Sequence, residues 1–159
     1  MQFLIRKAIG QDIDSILKLF QKEDSYNYKN LPQLFKKPEE IERTREQIII
    51  IVNNKEKYLF VAEKDRKLVG FIHYGLGETL AGAVVKEGLF VFIYSFFVEE
   101  AFKGQGIEHE LISNVNNFAR QENITLVQTN LWSFDKEGIL LYKKSGYTIV
   151  THKMILQLN

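Results

Sequence analysis

The feature that most constrains this chain is the stretch Phe96-Phe97-Val98-Glu99-Glu100-Ala101-Phe102-Lys103-Gly104-Gln105-Gly106-Ile107-Glu108. It ends an apolar, aromatic run at residues 89–98, which has the composition of a buried central strand. Beyond it, Ile107, Leu111, Ile112, Val115 and Phe118 recur at helical spacing. The chain must therefore pass from strand to helix through Gly104 and Gly106. Glycines at such a turn let the backbone approach a ligand closely, and the free N–H groups at the helix start favour a phosphate. The physical reading is a pyrophosphate cradle, although a Gly-x-Gly before a helix also serves as an ordinary tight turn. Neither the lysine spacing of a Walker loop nor a full dinucleotide fingerprint is present, so ATP and NAD lack support.

The rest of the chain alternates strand and helix signals. Residues 2–8 predict a strand, and Asp12 stands where a helix N-cap belongs, ahead of Ile13, Ile16, Leu17 and Phe20. Periodicity fails over residues 25–37, which predicts a loop, and Pro38 with Glu39 and Glu40 predicts the start of a second helix. Residues 58–63 and 68–76, joined by Lys64-Asp65-Arg66-Lys67, predict an antiparallel hairpin. Residues 78–88 predict a connection, residues 125–131 a further strand, and Asp135 the cap of a short helix that stops at Gly146. A final strand is expected over residues 147–158. The expected order is β-α-α-β-β-β-α-β-α-β, an α/β (α+β) fold with a mixed, largely antiparallel sheet, in one domain over residues 1–159.

Composition narrows the function. With 21 Lys plus Arg against 20 Asp plus Glu, the net charge of +1 gives no general reason to bind nucleic acid or an anionic membrane. The chain has no cysteine, which excludes disulfides, thiolate zinc sites and a cysteine nucleophile. His73, His109 and His152 lack metal-ligand spacing, so no metal is expected. Apolar runs such as residues 48–52 and 88–98 fall short of the roughly 20 residues that span a bilayer. Residues 1–7 do not follow the order of a signal peptide. The expectation is a soluble, cytoplasmic protein.

The glycine segment resembles the central motif of the GNAT acetyltransferases, Arg or Gln, two residues, Gly, one residue, then Gly or Ala. Lys103, Gly106 and Glu108 take those places. Val98, Glu99, Phe102, Gly104 and Ile107 match the wider pattern around it. A second stretch, Asp135-Lys136-Glu137-Gly138-Ile139-Leu140-Leu141-Tyr142-Lys143-Lys144-Ser145-Gly146-Tyr147, is similar to the family's Asn-x-x-Ala-x-x-Leu-Tyr-x-x-x-Gly-Phe. The departures are Lys103, Asp135 and above all Glu108, where the family has a small residue. A carboxylate there suits the helix dipole but repels a pyrophosphate, and it is expected to turn outward.

The resemblance implies an N-acetyltransferase that moves the acetyl group of acetyl-CoA directly onto a primary amine of a small molecule or peptide. Implied for cofactor binding are the backbone of Phe96, Phe97 and Val98, the turn Lys103, Gly104, Gln105, Gly106 and Ile107, then Glu108, His109 and Asp135. Tyr142 is implied as the acid that protonates the departing coenzyme A sulfur. The residues that form the acceptor pocket in relatives are Tyr26, Tyr28, Leu31, Phe35 and residues 78–88. Glu78, Glu87 and Glu99 are candidate general bases, though each reads better as plain surface charge. Relatives often form homodimers. Glu108 also motivates an alternative, a GNAT-fold module weakened in catalysis that binds acyl-CoA or a partner without turnover.

Overall fold

The computed structural model describes residues 2–158. Strand β1 (Leu4–Lys7) leads through a 3-10 turn at Gly10–Asp12 into helix α1 (Ile13–Asn30). Asp12 does stand at the start of α1, but its carboxylate does not cap it. That group accepts from Arg6 at 2.7 and 2.9 Å and from the Ile9 amide at 2.9 Å. It thereby fastens the strand to the helix entry.

Helix α1 continues through residues 25–30, where the sequence predicts a loop. The polar side chains responsible for that expectation turn back on the helix, Ser25 Oγ donating to the Gln21 carbonyl and Asn30 Nδ2 to that of Tyr26, at 2.9 and 2.8 Å. Pro38 starts only a short 3-10 turn, Pro38–Glu40, and the second helix is α2 (Arg45–Asn53). Its start is set by a capping box: Thr44 Oγ1 accepts from the Gln47 amide at 3.3 Å while Gln47 Oε1 accepts from the Thr44 amide at 3.1 Å.

Strands β2 (Lys57–Lys64) and β3 (Lys67–Thr79) form the expected hairpin. Asp65 and Arg66 both have positive φ, +50° and +63°, the two-residue turn whose twist suits a hairpin. Strand β3 then pairs along its length with β4 (Gly88–Val98), which shortens the connection to residues 80–87. Helix α3 (Ile107–Gln121), strand β5 (Val127–Thr129) and helix α4 (Lys136–Lys144) complete the chain. The sheet runs β1-β2-β3-β4-β5, antiparallel except for β4 with β5.

Period-two alternation along β2, β3 and β4 sends side chains to two cores. On one face Ile16, Leu19, Phe20 and Ile48 of α1 and α2 pack on Leu59, Val61 and Phe71. On the other, Leu111, Ile112 and Val115 of α3 and Tyr142 of α4 pack on Ala62, Ile72, Tyr74, Val91 and Ile93. Phe71 is fully buried against Phe20 at 4.3 Å, and truncation to Ala costs about 3–5 kcal/mol at a site of this kind.

Two expected strands are corrected. Strand β5 pairs only over Val127–Thr129, not residues 125–131, and residues 147–158 form no strand. Tyr147 is the last anchored residue, its ring 5.0 Å from that of Tyr142 and its hydroxyl donating to Asn116 Oδ1 at 2.8 Å. Beyond it Val150, Met154, Leu156 and Leu158 are exposed, with no strand alongside to complete a ladder. Apolar alternation supplies strand propensity, but a strand needs a partner.

Candidate active site

One irregularity in β4 builds the site. The Val91 amide donates to Leu126 on the β5 side, whereas the Glu99 amide donates to Val69 on the β3 side, both at 2.9 Å. Amides alternate sides along a strand, so positions 91 and 99 would point the same way in a regular one. The register shifts between them: His73 pairs with Ser95 and Tyr74 with Ile93, leaving Tyr94 as the extra residue of a bulge. The bulge reverses the phase and turns the amides of Phe96 and Val98 toward the open side. No strand pairs with them there, because β5 stops opposite Ile93, and the Phe96 amide meets the Glu23 carboxylate instead.

The wedge between β4 and β5 opens into a cavity of about 580 Å³. Ile93 to Val98 form one wall, Thr129 to Trp132 with Leu141 and Tyr142 the other, and Lys22, Glu23, Tyr26 and Asn27 of α1 cover it. Aromatic contacts brace the cover: Tyr26 lies 5.8 Å from Phe134, Phe134 stacks with Trp132 at 6.3 Å, and Phe35 meets Trp132 at 4.9 Å.

At the outer end lies the glycine turn. Gly104 and Gly106 have φ of +71° and +91°, and a Cβ at either position would meet nothing within 4 Å. The glycines thus serve backbone conformation and leave open space beside the start of α3. Glu108 does not turn outward as expected. Its carboxylate folds back over the turn and accepts from the Gly104 amide at 2.9 Å, because that unpaired N–H lies within reach of a first-turn side chain. An anion already occupies one donor that a phosphate would use. Lys103 is similarly engaged, with Nζ 2.8 Å from Glu100 and 3.4 Å from Glu137. Burial pulls down the pKa of this ammonium, but the two carboxylates outweigh it and the net shift is upward.

Asp135 caps α4 as the sequence predicts, accepting from the Gly138 amide at 3.0 Å. Gly138 permits the cap, since a Cβ there would run into the Asp135 carboxylate. This helix delivers Tyr142, 2% exposed and lining the cavity. The Tyr142 hydroxyl has no hydrogen-bond partner. The Thr129 hydroxyl nearby donates instead to the Ile93 carbonyl at 3.3 Å. Burial, reinforced by Tyr147 and only partly offset by the neighbouring Thr129 hydroxyl, pushes the Tyr142 phenol well above its ordinary value, so it stays protonated.

Of the residues singled out from the sequence, Phe96, Phe97, Val98, Lys103, Gly104, Glu108, Asp135 and Tyr142 line the cavity together. Gln105, Gly106, Ile107 and His109 do not. Gln105 is drawn to Lys64 and to the Ala101 carbonyl. Ile107 is buried in the core beneath the turn, and His109 is exposed on α3, 3.5 Å from Ser113. Glu78, Glu87 and Glu99 are also outside the lining, and Glu99 pairs with Lys22 at 2.6 Å. Of the aromatic acceptor candidates only Tyr26 reaches the cavity, with Phe35 one layer behind. His73 is buried in β3 and kept neutral by desolvation, its pKa lowered to about 4. Among the described residues no cluster of His, Cys, Asp or Glu is placed to hold a metal, and no helix is long and apolar enough to cross a membrane.

Sequence reasoning missed Glu23. This residue of α1 reaches across to β4, where the Ser95 hydroxyl stands 2.7 and 2.6 Å from its two carboxylate oxygens. Desolvation pushes its pKa up to about 7, against the opposing pull of the Ser95 hydroxyl. The signal was available in part: Ile16, Leu19, Phe20 and Glu23 fall on one face at helical spacing, and the first three are buried.

Outward strand amides, a glycine turn opening a helix and a buried phenol thus meet around one cavity. The chain matches the acetyltransferase (GNAT) family model over residues 13–147 and belongs to that family, whose members use acetyl-CoA. It is 30% identical over 67 residues to an uncharacterised N-acetyltransferase, YdgE, of Bacillus subtilis. That match spans 42% of this chain and 43% of YdgE, less than half of either. A mutant of the BH1408 protein from Bacillus halodurans shares the fold at a TM-score of 0.90 and 18% identity, over 98% of this chain and 99% of that one. The aminoglycoside acetyltransferase AAC(6')-Iy, solved with the bisubstrate analogue CoA-S-monomethyl-acetylneamine, superposes at 0.75 with 14% identity, over 100% of this chain and 99% of that one. The chain is thus a domain of the GNAT acetyltransferase family.

Proposed function

We propose that this protein binds acetyl-CoA in the wedge between β4 and β5 and transfers its acetyl group directly to a primary amine of a small molecule. The observation that carries the reading is the Tyr142 hydroxyl, a buried donor without a partner, in the same cavity as the outward amides of Phe96 and Val98. Acetyl-CoA supplies the thioester carbonyl and a thiol leaving group. The Val98 amide stabilises negative charge on the carbonyl oxygen as the acceptor nitrogen attacks. Tyr142 gives its proton to the sulfur as the C–S bond breaks. A phenol with a raised pKa is a weak acid in water, but the same desolvation raises the pKa of the thiol that receives the proton. The Gly104–Gly106 turn holds the pyrophosphate, with Glu108 displaced from the Gly104 amide.

The covered cavity favours a small acceptor over a peptide, and aminoglycoside acetyltransferases on the same fold act on amine-bearing small molecules. We further propose a single domain over residues 1–159, a cytoplasmic location in keeping with the absence of cysteine, and self-association through the exposed apolar side chains between Ile149 and Leu158. The deciding experiment is calorimetric titration with acetyl-CoA, followed by thiol release on a panel of primary amines. Micromolar binding with amine-dependent release supports the reading; absent binding by the folded protein refutes it.

A further inference from the structure

The cavity lining holds five carboxylates, Glu23, Glu100, Glu108, Asp135 and Glu137, and four of them are committed. Glu100 and Glu137 pair with Lys103, Glu108 holds the Gly104 amide and Asp135 caps α4. Glu23, like Glu108 and Asp135, has no cation in contact, but it alone is held against β4 at the inner end of the cavity. Arg43, the nearest influence of that sign, spends its guanidinium on Asp24 at 2.8 and 2.7 Å. The carboxylate of Glu23 instead meets Ser95 and the Phe96 amide, two residues before the outward Val98 amide. The lining around it carries the rings of Tyr26, Tyr94, Phe96, Trp132 and Phe134, interspersed with the polar side chains of Lys22, Asn27, Thr129 and Asn130.

We propose that Glu23 is the general base that takes the proton of the acceptor ammonium, and that the acceptor is an amine with one cationic centre on an apolar or aromatic body. The inference rests on the acetyltransferase reading and specifies its acceptor. An incoming ammonium ion-pairs with Glu23 and passes one N–H proton to it, which leaves a neutral nitrogen. The nitrogen bonds to the thioester carbon, the C–S bond breaks, and the sulfur takes the Tyr142 proton. The second proton lost from nitrogen restores Tyr142, and Glu23 releases its own to solvent. The balance is one ammonium and one thioester to one amide, one thiol and one proton. A second or third ammonium on the same acceptor would enter a lining with no free carboxylate, an uncompensated burial of charge. A pKa near 7 keeps the base ionised in about half the molecules at neutral pH and able to accept a proton.

The test compares the full-length wild type with Glu23→Gln and Ser95→Ala, using 2-phenylethylamine, spermidine and sisomicin as acceptors and acetyl-CoA affinity as a separate readout. The wild type should favour 2-phenylethylamine by at least about tenfold in kcat/KM. Its rate should rise with pH through a limb near 7. Glu23→Gln should lose roughly a hundredfold and the limb, with acetyl-CoA affinity intact. Ser95→Ala, which removes the bond that lowers the carboxylate's pKa, should move the limb to higher pH. An unaltered limb in both variants overturns the role of Glu23. Equal or better use of the polyamines, or turnover of none of the three acceptors, overturns the acceptor class. Absent acetyl-CoA binding in the wild type defeats the acetyltransferase reading as well, and so is distinguishable from either.

Discussion

The two ends of the cavity treat charge in opposite ways. At the glycine turn, Lys103, Glu100, Glu137 and Glu108 all have local partners, and Glu100 and Glu137 are largely exposed. Exposed pairs of this type are worth about 0–1 kcal/mol, so a ligand displaces them at little cost. At the inner end Glu23 is desolvated without a cation, an arrangement that costs stability and is retained where a proton must move. The proposed mechanism therefore makes the outer end a replaceable surface for binding and the inner end fixed chemistry. Substitutions at the turn should change affinity, and those within should change rate.

The largest effect should come from Gly106→Glu. Gly106 caps α3 in the left-handed region, where a side chain costs about 1–2 kcal/mol, and the open space beside it would receive a second carboxylate next to Glu108. Acetyl-CoA affinity should fall by roughly a hundredfold or more while the protein stays folded, since repulsion adds to the strain. Calorimetry paired with a melting curve checks both; retained affinity would break the assignment of the outer end to binding.

Tyr142→Phe should divide rate from affinity most cleanly. Turnover should drop roughly a hundredfold with acetyl-CoA affinity within about twofold. Stability should hold or rise, because the lost hydroxyl is buried and unpartnered and removing such a group relieves about 1–3 kcal/mol. Steady-state kinetics and denaturant titration on one preparation provide the comparison. A slower and less stable variant would instead make Tyr142 a structural residue.

The inner carboxylate makes a pH prediction whose sign follows from its shift. Glu23 binds its proton more tightly folded than unfolded, with a pKa raised from 4.5 to about 7. Its contribution to stability is therefore greatest below 4.5 and is lost as pH rises through 7. Wild type should lose up to about 3 kcal/mol relative to Glu23→Gln between pH 5 and pH 8. Urea unfolding of both proteins at the two values measures it, and parallel stabilities would show that the carboxylate is solvated.

The same contrast explains what was legible in the sequence. The outer end is local: a strand, Gly104, Gly106 and a helix in succession, then Asp135 three residues before the amide it caps, so residue order specifies most of the geometry. Ion pairing of Lys103 and the inward fold of Glu108 depend on side-chain choices that spacing does not fix. The inner end is assembled from distant parts. Glu23 and Ser95 lie 72 residues apart, and between Lys22 and Asp24 a glutamate reads as a solvated helix face. The bulge at Tyr94 has no glycine to mark it, and only pairing with β3 exposes it. In the fold, Pro38 drew the second helix too early although the Thr44-x-x-Gln47 box was present. The alternation of residues 147–158 predicted a strand whose partner edge the sequence does not specify.

The smallest change tests whether the outer end is as replaceable as its exposure implies. Glu108 already satisfies the Gly104 amide, so a pyrophosphate binding there must break that bond and overcome the carboxylate's charge. Glu108→Ala removes both costs and frees the donor without altering the positive φ of either glycine. Acetyl-CoA should bind roughly three- to tenfold more tightly, a gain of about 0.7–1.4 kcal/mol. The gain should shrink at high salt, where the charge component is screened. The free protein should lose a few tenths of a kcal/mol, the usual worth of a first-turn carboxylate on a helix dipole. Tighter binding at the expense of slight destabilisation would identify Glu108 as an internal stand-in for the phosphate. Weaker binding would mean that the carboxylate holds the turn in its receptive shape, and the outer end would then be as fixed as the inner one.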